Sequence, residues 1–102
     1  IFKKGEYMPG YLIAQLQVKN LEPYKNYIEK VTPLVKKFGG EYIVRSGQYA
    51  VVQGEWQYPR NVIIKFPSYK DALNFYKSEE YKPVKKIRED NSNGNIIIIE
   101  GS

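Results

Sequence analysis

Apolar residues fall at every second position from Leu12 to Val18 (Leu12, Ala14, Leu16, Val18), while the intervening Tyr11, Ile13, Gln15 and Gln17 are mixed. Side chains along a strand point alternately to its two sides, so this pattern predicts a strand with one wholly apolar face. From Glu22 to Phe38 the period lengthens: Tyr24, Tyr27, Ile28, Val31, Leu34, Val35 and Phe38 make one helical stripe. Pro23 suits a first turn, Pro33 removes one backbone donor and is expected to bend the helix, and Gly39-Gly40 ends it. Glu41 to Arg45 reads as the second strand. After the turn Ser46-Gly47-Gln48, Ala50 to Gln53 is expected to return beside it as a hairpin. A loop over Gly54 to Arg60 leads to a strand at Asn61 to Phe66. Ser68 with Asp71 three residues later forms a capping box for a helix burying Ala72, Leu73, Phe75 and Tyr76. A further helix over Glu79 to Glu89 carries the thin stripe Tyr81, Val84, Ile87, and a turn at Asn91-Ser92-Asn93-Gly94 precedes a last strand from Asn95 to Glu100.

The order strand, helix, strand pair, helix, strand is that of an α+β, ferredoxin-like βαββαβ fold. Right-handed crossovers then place both main helices on one face of the antiparallel sheet. The other face is nonetheless apolar: Ile13, Ile43 and Ile63 belong to it by parity, and the last strand is apolar on both sides through Ile96 to Ile99. An apolar sheet face left in water is an unusually large exposed patch. The expected cover is a second copy of the same face, giving a homodimer, a dimeric α/β barrel; a third helix folded over that face is the alternative.

Composition limits the chemistry. The 102 residues fit one domain, with residues 8–102 as the fold and residues 1–7 as an extension outside it. Cysteine and histidine are both absent, which removes thiolate catalysis, disulfides and the usual general base and metal ligands. The carboxylates Glu79, Glu80, Glu89 and Asp90 lack metal-site spacing, and no glycine-rich phosphate loop occurs, so neither metal nor cofactor is expected. The longest aliphatic run, Ile96 to Ile99, is far short of the roughly 20 residues of a membrane span, and the start shows no signal-peptide pattern. No membrane association and a cytoplasmic location are the expectations. The net charge of +5 comes from scattered lysines, which reads as a solvated surface. The strand face that an RNA-recognition fold would line with aromatics carries Ile63 and Lys65 instead, so no nucleic acid is expected.

Against 13 lysines the chain has only 3 arginines, Arg45, Arg60 and Arg88. Arginine differs from lysine in its planar fork of donors, which matches a carboxylate bidentately. By parity with Ile43, Arg45 is placed on the sheet face away from the helices, and Arg60 closes a loop that also holds Glu55 and Trp56. Two roles fit: Arg45 and Arg60 bind a small organic anion or aromatic acid with Trp56 as an apolar wall, or they pair with Glu55, Glu41 or a partner carboxylate. Tyr24, Tyr27 and Tyr76 face the core from their helices. A buried tyrosine needs a partner for its hydroxyl, so Tyr24 and Tyr76 are candidates to point into a helix–sheet cavity, with core packing as the other role. Glu55 is a candidate base if its surroundings favour the protonated form.

Several segments resemble a known family. Tyr11-Leu12-Ile13-Ala14-Gln15, Gly39-Gly40-Glu41-Tyr42-Ile43-Val44-Arg45-Ser46-Gly47, Gly54-Glu55-Trp56 and Pro59-Arg60-Asn61-Val62-Ile63-Ile64-Lys65-Phe66-Pro67-Ser68 are similar to the domain-of-unknown-function family 1330. Ala72, Phe75-Tyr76, Ser78-Glu79-Glu80-Tyr81 and Ile98-Ile99-Glu100-Gly101 extend the likeness to nearly the whole chain from Gly10, with Glu79 replacing the family's usual proline. The resemblance implies a dimeric α/β barrel and supplies no activity. Two functions follow as expectations: a homodimeric binding module for a small anion, or a cofactor-free enzyme of monooxygenase or isomerase type acting on small organic acids.

Overall fold

The alternating segment becomes β1 (Gly10–Val18), whose even-numbered residues Leu12, Ala14 and Leu16 are buried. The structure, a computed structural model, describes residues 8–102, so the extension expected at residues 1–7 lies outside the described residues. The helical stripe becomes α1 (Leu21–Lys37), which buries Tyr24, Tyr27, Val31 and Val35 and runs through Pro33 as one helix. Phe38 closes it, and Gly39 takes a φ of +83°, a conformation that costs glycine least. Then follow β2 (Glu41–Arg45), β3 (Arg60–Phe66), α2 (Tyr69–Lys77), α3 (Tyr81–Asn91) and β4 (Ser92–Glu100).

The four strands form one antiparallel sheet in the order β2-β3-β1-β4, the ferredoxin-like α+β arrangement, here with three helices. The Ser68 hydroxyl accepts from the Asp71 backbone N–H at 3.0 Å and donates to the Asp71 carboxylate at 2.8 Å, so Ser68 caps the start of α2 and Asp71 holds its hydroxyl. Ser68→Ala is expected to cost about 1 kcal/mol. The check is the midpoint of denaturant unfolding, and an unchanged midpoint would mean that Asp71 alone suffices.

Three expectations need correction. No strand forms over Ala50 to Gln53; residues 47–59 are irregular. Ser46, at φ 58°, carries the chain out of the sheet after its N–H bonds Asn61 O at 2.7 Å, and the apolar run that follows is too short to find a partner strand. The turn at residues 91–94 is also absent, because α3 leads straight into β4 at Ser92. The Asn91 carbonyl accepts from Lys19 N and Asn20 N, tying this junction to the start of α1. Gly94 lies so close to β1 that a Cβ would run into Leu16 and the Gln15 carbonyl. The alternative cover for the open sheet face, a third helix, is not what α3 provides: Tyr81, Val84 and Arg88 are buried on the helix side, where α3 packs beside α1.

The correction with most bearing on function concerns β2. Tyr42 pairs with Ile64 and Val44 with Ile63, so the register slips by one residue at Ile43. Such a bulge inserts one residue and reverses the facing of everything beyond it. Val44 therefore shares the open face with Ile63, and Arg45, opposite Val62, turns to the helix side. The parity reading from Ile43 placed Arg45 on the wrong face.

Candidate functional site

All three arginines of the chain line a single cavity between the helices and the sheet. Its volume is about 40 Å³. The sheet side is apolar (Leu12, Ala14 and Leu16 from β1, Val62 and Ile64 from β3), because these are the inward residues of alternating strands. The helix side is aromatic and polar: Tyr24 and Tyr27 from α1, Tyr81 and Arg88 from α3. Tyr42 and Arg45 of β2 and Arg60 of β3 complete the lining.

Each guanidinium lies near a tyrosine ring, an attraction between cation and ring quadrupole. Arg45 sits 4.2 Å from the Tyr42 ring centroid, Arg60 5.6 Å from that of Tyr24, and Arg88 5.8 Å from that of Tyr76. Arg45 Nη2 also donates to Thr32 Oγ1 at 3.1 Å, and that hydroxyl donates to the Ile28 carbonyl at 2.7 Å, which ties the bulged strand to α1. Arg88 is only 7% exposed, with Nη1 donating to the Tyr81 hydroxyl at 2.9 Å and Nη2 to that of Tyr76 at 3.2 Å. Arg60 Nε is, among the described residues, the one buried side-chain nitrogen or oxygen without a hydrogen-bond partner.

Among the described residues no carboxylate lines the cavity. Among the described residues the ion pairs all use lysine: Lys25–Glu22, Lys37–Glu80, Lys82–Glu79 and Lys86–Asp90. The pairing of Arg45 or Arg60 with Glu41 or Glu55, weighed above as a structural role, is therefore not formed within the described chain. Burial works against the charge on Arg88, but the facing Tyr81 and Tyr76 oxygens outweigh it and its pKa is raised, so the group is cationic throughout. Burial also raises the pKa of Tyr27, Tyr42 and Tyr81; for Tyr81 the neighbouring Arg88 works in the opposite direction. All three phenols stay protonated near neutral pH, able to donate a hydrogen bond and unable to take up a proton.

Of the residues singled out from the sequence, Arg45, Arg60 and Tyr24 meet at this cavity. Tyr76 stands beside it, joined through Arg88. Glu55 and Trp56 lie elsewhere, in the 47–59 segment, where Trp56 is half-exposed and its Nε1 donates to Asn61 Oδ1 at 2.8 Å. Arg88, Tyr27, Tyr42 and Tyr81 complete the lining without having been chosen. Two signals bore on Arg88: the scarcity of arginine, which names all three, and its spacing, four residues after Val84 and seven after Tyr81, which continues the buried stripe of α3. Among the described residues no group of three potential metal ligands gathers, and no helix is long and apolar enough to cross a membrane.

Fold and cavity together define a ferredoxin-like α+β protein with a cationic, tyrosine-lined cavity beneath its helices. The chain belongs to the family described as a domain of unknown function, DUF1330, which matches residues 9–102. Among solved structures it is similar to the RPA0582 protein of unknown function from Rhodopseudomonas palustris, with a TM-score of 0.73 at 14% identity, covering 91% of this chain and 82% of that one. The methylated RPA0582 protein gives a TM-score of 0.74 at 14% identity, covering 93% and 82%. At this identity the likeness is one of fold. No curated protein matches the chain.

Proposed function

We propose that this protein is a homodimer that binds a small organic anion in the arginine–tyrosine cavity. The observation that carries the reading is the composition of the lining: every arginine of the chain and, among the described residues, no carboxylate. Arg88 is the buried one of the three, Arg60 is half-buried and Arg45 exposed, and an uncompensated buried charge costs several kcal/mol. Here the compensation is left to tyrosine rings and hydroxyls, and Arg60 Nε has no partner within the described chain. A carboxylate would supply the missing charge and acceptor together.

The homodimer rests on the open sheet face. Tyr11, Ile13, Val44, Ile63, Ile97 and Ile99 share it, with Ile97 and Ile99 about half exposed. Beside it, Val44 and Asn61 share a concave surface with Tyr49, Val51, Val52 and Trp56 of the 47–59 segment. Burying ~500 Å² of such surface per subunit contributes on the order of 12 kcal/mol before association costs are subtracted. The self-complementary occupant of a flat apolar face is a second copy of it.

A thermal-shift screen against small carboxylates tests the pocket, with Arg45→Ala and Arg60→Ala in parallel. A rise of several degrees in the parent protein, lost in either variant, is expected; no rise with any carboxylate would overturn the reading. A second reading, a cofactor-free enzyme on small organic acids, is favoured by the buried tyrosine hydroxyls, which could polarise a substrate carbonyl. Turnover of a bound acid separates it from simple binding.

A further inference from the structure

The hydrogen bonds around the cavity are unbalanced in one direction. The Tyr27 and Tyr81 hydroxyls are 2.9 Å apart, and Tyr81 also accepts from Arg88. Two hydroxyls carry two protons, and only one is used between them. The other O–H has no acceptor among the described residues, and both side chains border the cavity. Arg60 Nε–H is the second donor left over. Both leftover hydrogens call for an acceptor, and they come from two sources: the Arg60 guanidinium of β3, and a tyrosine hydroxyl pair backed by Arg88 of α3.

Resting on the anion-binding reading above, we infer that the ligand is a short carboxylate bearing a second oxygen acceptor. Its carboxylate meets Arg45 and Arg60, and the second acceptor, a keto oxygen or another carboxylate, takes the free proton of the Tyr27–Tyr81 pair. Size limits the class further. A cavity of about 40 Å³ has room for roughly three waters, at about 10–15 Å³ each. That suits three- or four-carbon acids and excludes an aromatic acid unless side chains move. Charge agrees with a second acceptor, since three guanidinium groups line the cavity and a lone carboxylate neutralises only one.

Titration calorimetry with propionate, pyruvate, malonate and benzoate tests this on the parent protein, Tyr27→Phe and Tyr81→Phe. Pyruvate matches propionate in chain length and adds the keto oxygen; malonate adds a second carboxylate. The expected result is that pyruvate or malonate binds about tenfold or more tightly than propionate, the range of a hydrogen bond to a polar or charged acceptor. That advantage, read within each variant as the ratio of pyruvate or malonate affinity to propionate affinity, should vanish in a phenylalanine variant. Propionate binding as well as the other two would overturn the second-acceptor inference and leave anion binding standing. Benzoate binding tightest would overturn the size argument in the same way. Binding of none of the four would remove this inference, and with a flat thermal-shift screen it would remove the anion reading too. The comparison of ligands on the parent protein stands even if one variant fails to fold.

Discussion

Phe75→Ala is expected to cost about 3–5 kcal/mol, the range for deleting a fully buried aromatic ring. Phe75 is 1% exposed, and its ring lies 4.6 Å from that of Tyr81, 5.4 Å from that of Phe66 and 5.9 Å from that of Phe38. Those partners belong to α3, β3 and the end of α1, so one side chain of α2 joins four parts of the chain. Removing it forfeits the burial of the ring and leaves a void that the neighbouring aromatics fill only partly. A fold of this length has about 5–15 kcal/mol in total, so the variant is left with a small reserve. For this size each kcal/mol shifts Tm by about 4–8 °C, and a fall above 10 °C by circular dichroism is the expected reading. A fall of only a few degrees would mean that the aromatic cluster repacks, and that the cavity lined in part by Phe75 is soft.

The double substitution Ile97→Lys with Ile99→Lys is expected to convert a dimer of the 11.9 kDa chain into a monomer. Both residues stand on the open face of β4, opposite Ile13 and Tyr11 of β1. In a two-fold interface each substitution occurs twice, so four ammonium groups would enter an apolar contact, a cost of several kcal/mol. Because Ile97 and Ile99 are about half exposed within one protomer, the fold itself should lose little. Light scattering at micromolar concentration gives the mass, and circular dichroism shows whether the monomer is folded. An unchanged dimeric mass would place the interface elsewhere; a monomeric parent protein would remove the dimer altogether.

The elements with a regular period were legible in the chain. The alternation of Leu12, Ala14 and Leu16, the stripe from Tyr24 to Val35 and the Ser68 cap all appear in the structure as read. Their signals are local, since each residue reports its facing through its immediate neighbours. The errors arose where facing or pairing depends on a distant strand. Ala50 to Gln53 has strand-like residues and no strand to join. The extra residue in β2 shows only in its register with β3, so Arg45 was assigned to the wrong side. The candidate site was legible in part: the scarcity of arginine pointed to Arg45 and Arg60, and helical spacing pointed to Tyr24. Arg88 was harder, because a guanidinium on a buried stripe reads as polar surface until the tyrosines that accept its hydrogen bonds are assembled around it. Proximity in sequence drew Glu55 and Trp56 into the proposed site, but their segment leaves the sheet before Arg60 returns to it.

The bulge at Ile43 makes the identity of two surfaces hinge on the register of one strand. With it, Val44 goes to the outer face opposite Ile63, and Arg45 goes to the cavity side opposite Val62. Were the same residues laid out in unbroken alternation, Arg45 would stand on the outer apolar face and Val44 would line the cavity. Deleting Ile43 would not make that exchange, because Val44 and Arg45 would keep their present partners in a regular ladder. A chain of this architecture shortened by that one residue would therefore keep its arginine on the cavity side, whereas a slip in pairing with nothing removed would turn the same arginine into a barrier to self-association.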